Sequence, residues 1–265
     1  MTGSAPEDGA APATAVPLEV LTDEELHVLH GGVPTVVVEP HLAALADGPR
    51  EWSLRTAYRG LLARGLLEPP TGAAPTDPDG SGTADARVRE DVHAVVTLRA
   101  APDAVLCAAR TTSLGQDFWY AHVVADVVLV EQVDAGGLHH FAVAPADDLP
   151  DLLTAATVHP EATDGTGPAL AVGDPAAPER ATTDLLARAE LRTDLVLRTP
   201  GDTEPMLTGL FTGPDGAWLL TARPGTDDPL TAVPVTRADL LGHLHKLAAR
   251  ALSARANRPA GEDAR

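Results

Sequence analysis

Lysine is almost missing from this sequence: of 19 basic residues only Lys246 is a lysine, which leaves Schiff-base and P-loop chemistry a single C-terminal position and effectively excludes both. Cysteine is as scarce. The lone Cys107 closes no intrachain disulfide and builds no thiolate zinc site, which rules out a secreted disulfide scaffold and a zinc ribbon. Basic charge is outnumbered, 19 residues against 38 acidic ones, and the formal charge of -19 repels nucleic-acid phosphates and anionic lipid. The longest apolar run, Ala121 to Val130, is broken by His122 and Asp126 and falls short of the roughly 20 apolar residues of a spanning helix. Met1 to Pro17 has neither a basic residue nor an apolar core, so no secretory signal is expected, and a reducing cytoplasm is the expected location.

What is present is 265 residues, 44% of them hydrophobic, enough for one large domain or two small ones. Three stretches poor in large apolar residues, Met1 to Pro17, Pro69 to Ala86 and His159 to Pro178, read as a tail and two linkers. The expected organisation is a tail over 1–17, an α+β half over 18–158, a linker over 159–178, a second α+β half over 179–253 and a frayed end over 254–265.

In the first half, Thr22 and Glu25 have capping-box spacing and start a short helix. Val33 to Val38 is strand-like, and Arg50 to Leu67 carries a helical apolar stripe with Gly65 near its end. Val92 to Val143 then reads as a meander of strands: Ala94 to Arg99, Val105 to Thr111, Phe118 to Val124, Val127 to Val133 and Leu138 to Val143, followed by a helix over Pro145 to Thr157. In the second half, Glu179 to Leu191 reads as helix, then come strands at Leu195 to Thr199, Met206 to Phe211, Trp218 to Ala222 and Leu230 to Val235, and a last helix over Arg237 to Ser253. Asp126 to Leu153 lies on Ala217 to Leu244 without a gap, Leu149 on Leu240 and Leu153 on Leu244, and Thr97 to Arg99 corresponds to Val196 to Arg198 at another offset. The fold expected is therefore α+β, two related halves, each an antiparallel sheet with packing helices, about a pseudo-twofold axis.

Chemistry-bearing motifs are few. There is no G-x-S-x-G, and the glycine-rich segments Gly80 to Gly82 and Gly136-Gly137 lack phosphate-loop spacing. Cys107 falls mid-strand, where a buried inert thiol is expected. Of the histidine pairs, His139-His140 point to opposite faces of a strand, and His243 and His245 diverge on a helix, so neither chelates; His27 and His30 could share a helix face, and they too read as structural. Asp77 to Asp85 echoes the start of an EF-hand loop, but Val88 stands where the bidentate glutamate belongs, and a solvated linker is the expectation. No metal, cofactor or catalytic residue is assigned. Aromatic residues are 3% of the chain, yet Phe118, Trp119 and Tyr120 are consecutive, and alternation sends Trp119 to the face opposite its neighbours. The triplet is the candidate partner-binding segment. An alternative from another class is an enzyme or small-ligand site between the halves, using His122, Asp126, Glu131, His139 and His140.

The chain resembles the EspG family of chaperones associated with type VII (ESX) secretion systems of actinobacteria. The resemblance is carried by Leu21-Thr22-Asp23-Glu24-Glu25-Leu26, the helix ending Leu61-Leu62-Ala63-Arg64-Gly65-Leu66, the acidic-apolar Asp148-Leu149-Pro150-Asp151-Leu152-Leu153 and the element order from Val20 to Leu252. It implies a quasi-twofold α+β fold and a cytosolic, non-enzymatic protein that binds helical PE–PPE-type secretion substrates and keeps them soluble. No individual binding residue is carried over from the family.

Overall fold

The computed structural model describes residues 15–31, 35–69, 87–172, 187–200, 206–221 and 230–256. Its elements in chain order are β1 (Val16–Thr22), α1 (Asp23–Leu29), α2 (Pro40–Ala44), α3 (Asp47–Ala63), β2 (Leu67–Glu68), β3 (Arg87–Val88), α4 (Glu90–Ala100), β4 (Ala104–Thr112), β5 (Gly115–Val124), β6 (Val127–Val133), β7 (Leu138–Pro145) and, after a 3₁₀ turn at Ala146–Asp148, α5 (Leu149–Thr157). There follow β8 (Leu170–Val172), β9 (Leu191–Arg198), β10 (Met206–Gly213), β11 (Gly216–Thr221), β12 (Leu230–Pro234) and α6 (Arg237–Ala256). The expected tails at 1–14 and 257–265, the EF-hand-like loop at 77–85 and most of the expected helix at 179–191 lie outside the described residues.

Ten strands form one antiparallel sheet in the order β1-β7-β6-β5-β4-β9-β10-β11-β12-β8, while β2 and β3 make a separate ribbon. The meander β4 to β7 and the meander β9 to β12 both run outward from the β4–β9 pair, which joins them in register from Val105↔Arg198 to Thr111↔Arg192. Each meander is followed by a helix, and both helices lie on the same face of the sheet. There Leu149 and Leu153 of α5 and Leu240 and Leu244 of α6, all fully buried, pack over Leu106, Ala121, Leu195 and Leu197. Burying one such leucine contributes roughly 1.5–3 kcal/mol. The gap-free match of 126–153 on 217–244 keeps side-chain facing: Val128 and Leu219 turn to the helices, Leu129 and Leu220 away from them. Both sheet edges are blunted, β1 by Pro17 and a register shift before Val20, β8 by its three-residue length.

The opposite face of β5 to β7 is covered by a layer of N-terminal helices. Leu26 of α1, Leu61 of α3, and Val92 and Val95 of α4 close on Leu129 and Phe141. The capping box is formed, with Thr22 Oγ1 accepting from the Glu25 amide and Glu25 accepting from the Thr22 amide. At the end of α3 the Leu66 amide reaches Leu61 O and the Gly65 amide reaches Leu62 O, a Schellman motif that needs the positive φ of +66° Gly65 supplies.

Four expectations are corrected here. Ala94 to Arg99 is not a strand but part of α4, because Val92, Val95 and Arg99 recur at helical spacing on one buried stripe and Glu90 and Asp91 favour a helix start. The correspondence of Thr97–Arg99 with Val196–Arg198 falls with it, since β9 pairs beside β4 and occupies the mirrored place in the sheet order. Residues 35–38 form no strand: Val37 is buried against Tyr120, and the Val38 amide donates to the Tyr120 hydroxyl at 3.2 Å in place of a ladder partner. The segments read as tail and linker also contribute structure, Val16 and Pro17 to β1, Ala162 to the main core and Leu170–Val172 to β8.

Trp119 lies in the main core with 5% exposure. Trp119→Ala is expected to cost ~3–5 kcal/mol through the lost contacts and the cavity left behind. A urea titration checks this, and an unchanged midpoint would contradict the packing.

Candidate functional site

Alternation along three adjacent strands puts His122 of β5, Glu131 of β6 and His139 of β7 on the same sheet face, beneath the N-terminal helices. Three of the five polar residues singled out in the sequence thus converge. His140 points outward and is exposed, and Asp126 is exposed at the β5–β6 turn. The cluster therefore lies under one half of the sheet and not between the halves.

Two residues complete it, Arg99 from the last turn of α4 and Asp23 from the first turn of α1. Glu131 is the hub. It accepts from Arg99 Nε at 3.1 Å through each oxygen, from His122 Nε2 at 2.8 Å and from His139 Nδ1 at 2.6 Å. The other ring nitrogen of His139 donates to Asp23 Oδ1 at 2.6 Å. The second Asp23 oxygen accepts the amides of His41 and Leu42 at the start of α2, at 2.7 and 2.9 Å. All five side chains are essentially inaccessible, Arg99 at 2% and the others at 0%.

This geometry fixes the protonation states. An ionised carboxylate only accepts, so a histidine held between two carboxylates donates from both nitrogens and is an imidazolium. Burial alone would pull the His139 pKa down, but its bonds to Asp23 and Glu131 outweigh burial and raise it. Burial would likewise raise the Glu131 pKa, and the bonds from His122 and His139 with the Arg99 charge carry it well below the usual carboxylate range. His139 thus lies between Asp23 and Glu131, with Arg99 Nε and His122 Nε2 bonded to Glu131. Every oxygen of the two carboxylates and both nitrogens of His139 are engaged, while the two terminal nitrogens of Arg99 and Nδ1 of His122 are buried without a partner among the described residues. The bonds made anchor the helical layer to the sheet. Among the described residues no group of three or more His, Cys, Asp or Glu side chains is arranged to hold a metal ion.

The sequence signals for Arg99 and Asp23 were a charged residue at the seventh position of an apolar stripe and an acid inside a capping box. Neither signal announces burial.

The aromatic triplet is packed more than presented. Trp119 is in the main core, and Tyr120, at 1% exposure, is buried with its hydroxyl engaged by Val38. Phe118 is half-buried beside them. Trp119 and Tyr120 therefore present little accessible surface, and Phe118 is the more open of the three. The exposed surface near that segment lies four residues before Phe118, at the tip of the hairpin. Leu114, in the β4–β5 turn, is 98% exposed beside a groove of about 520 Å³ bounded by the Arg110–Asp117 pair, Ala156, Val158 and Leu191. Arg110 grips Asp117 through two bonds of 2.7 Å and also donates to Ala156 O near the C-terminal end of α5, which stiffens the groove.

No protein-family model matches this sequence, and no curated protein is similar to it at the sequence level. Solved structures do match the fold. One is the type VII secretion system chaperone EspG5 of Mycobacterium tuberculosis, in complex with the PE25–PPE41 dimer, with a TM-score of 0.52 and 12% identity over 88% of this chain and 95% of that one. The similarity extends to the α+β arrangement of a large antiparallel sheet with packed helices. Among the described residues no helix is long and apolar enough to cross a membrane.

Removing the hub should unfold the helical layer. Glu131→Gln leaves the buried Arg99 without its counter-charge and His139 with Asp23 alone, and a loss of ~3–5 kcal/mol is expected, as for other broken buried pairs. Hydrogen exchange should then quicken first in α1 to α4; equal protection in wild type and variant would contradict the anchoring role.

Acid dependence follows from His30, at the C-terminal end of α1. Burial, and then the nearby Arg99 charge, push its pKa down to about 4. A neutral buried histidine contributes stability that is complete above its unfolded value near 6.5 and is lost as pH falls toward about 4. His243 on α6 is lowered in the same direction, by burial and then by Lys246. The double variant His30→Gln/His243→Gln should therefore show a flatter stability profile between pH 6.5 and 4.5 than the wild type, measured by urea midpoints across that range.

Proposed function

We propose that this chain is a non-enzymatic, cytoplasmic protein-binding factor that acts as a type VII secretion chaperone, capturing a helical PE–PPE-type substrate and keeping it soluble. The observation that carries the reading is the fold match to EspG5, which spans 88% of this chain and concerns a protein solved with a PE–PPE dimer. The quoted sequence segments, from the capping-box helix to the acidic-apolar start of α5, support it independently.

The finer architecture belongs to the same proposal. Two related halves, β4 to α5 and β9 to α6, sit about a pseudo-twofold axis at the β4–β9 pair. The shared strand order and the matching placement of Leu149 with Leu240 and Leu153 with Leu244 support that relation. Docking is assigned to the β4–β5 hairpin tip, where Leu114 offers an apolar side chain next to the rigid groove. An anchor of this kind typically contributes roughly 2 kcal/mol or more when it is desolvated at a centre of contact.

The test is co-expression with the PE–PPE-type pairs of the same genome, followed by size-exclusion chromatography. A stable complex, with more soluble substrate than in its absence, is expected. Leu114→Asp should weaken that complex at least tenfold while the thermal midpoint stays unchanged. Failure to bind any such pair, or a catalytic turnover abolished by one polar substitution, would refute the reading.

A further inference from the structure

We propose that the trough between α1 and α3 is a second docking surface, built for an acidic amphipathic helix of a partner protein. The trough has a volume of about 520 Å³ and is lined by Val28 of α1 and by Glu51, Leu54, Arg55, Tyr58 and Arg59 of α3. These α3 positions are spaced i, i+3, i+4, i+7 and i+8, a single helical stripe that borders the buried Ala57 and Leu61. Beside the residues it buries, α3 therefore carries a stripe that the core leaves partly open.

The outer face is aromatic as well as apolar. Trp52 is 69% exposed and Tyr58 38% exposed, and the Arg55 guanidinium lies 5.2 Å from the Trp52 ring centroid. That stacking holds a large flat side chain against Arg55, itself one of the residues that line the trough, as a pre-ordered contact surface requires. Trp119 and Trp218 are buried at 5% and 7%, so Trp52 is the exposed indole among the described residues.

Charge selects the occupant. The whole chain has twice as many acids as bases, but residues 50–64 reverse the balance, with Arg50, Arg55, Arg59 and Arg64 against Glu51 alone. Arg64 is taken up by Glu19 and Glu25, and Arg55 pairs with Glu51 at 2.6 Å. Arg50 and Arg59 make no ion pair among the described residues. A cationic, aromatic-rimmed trough on an otherwise acidic protein fits a helix with leucine-like side chains on one stripe and carboxylates on its flanks. The lining from Glu51 to Arg59 extends ~12 Å, about two helical turns, which matches an i, i+4, i+7 set of apolar anchors.

The probes are two amidated 16-residue helical peptides with the same leucine stripe, one flanked by glutamate and one by lysine. Binding is read by fluorescence polarisation and by protection of Trp52 from acrylamide quenching. The glutamate peptide should bind at least tenfold tighter than the lysine peptide, and more weakly as salt rises. Trp52→Ala should lose at least tenfold, and Arg55→Glu/Arg59→Glu should reverse the preference toward the lysine peptide. Both variants alter exposed side chains, and an unchanged thermal midpoint certifies their fold. Leu114→Asp should leave peptide binding intact, which separates this surface from the chaperone site. Equal binding of the two peptides, no saturable binding, or a preference that survives the double charge reversal would overturn the proposal. So would dimerisation of the chain that Trp52→Ala abolishes, since the occupant would then be a second copy.

Discussion

The bonds between His139 and its two carboxylates join, in the buried interior, the first helix to the middle of the sheet. Asp23 stands at the start of α1 and holds the first amides of α2, while Glu131 belongs to the middle of the sheet and holds α4 through Arg99. A single imidazolium therefore links the N-terminal helices to β6 and β7 by way of residues 116 positions apart in sequence. Buried ion pairs of this kind add little net stability over a well-packed apolar core, because desolvation offsets most of the attraction. Their effect is on alternatives. A slip of β6 by one residue would turn Glu131 toward the α5–α6 core, where no cation waits for it, so the network disfavours every register but one.

The same alternation that places the network also divides the sheet into two chemical regimes. The face under α5 and α6 is dry and apolar across the β4–β9 pair, and that shared core makes ten strands one unit. The other face carries the ionic cluster under the first meander and a smaller apolar cluster of Phe211, Trp218 and Ala232 on the second. The two meanders thus have the same strand order and helix placement but not the same covering on the far side.

How much was legible in the sequence follows from which forces act locally. Hairpins, the capping box and the glycine at the end of α3 are set by neighbours a few residues apart, and β6 was read to the residue as Val127–Val133. Alternation also foretold that His139 and His140 part company. The segment at 90–100 was misread because valine and threonine favour strands on intrinsic grounds, whereas the apolar stripe of Val92 and Val95 and the long-range pairing of Arg99 decided for helix. Trp119 illustrates the same limit. Its alternation was right, but which face of β5 meets two helices depends on where α5 and α6 return, and that is not a property of the segment.

Under the helical layer His139 bridges Asp23 and Glu131. The large apolar side chains left in solvent include Leu114 at a hairpin tip and Trp52 on the outer face of α3. A formal charge of -19 works against the approach of nucleic-acid phosphates, while the arginines of α3 locally reverse the sign. Apolar anchors supply affinity wherever they are exposed; the sign of the charge around each decides which partner approaches, so the two surfaces can engage different partners without competing for one.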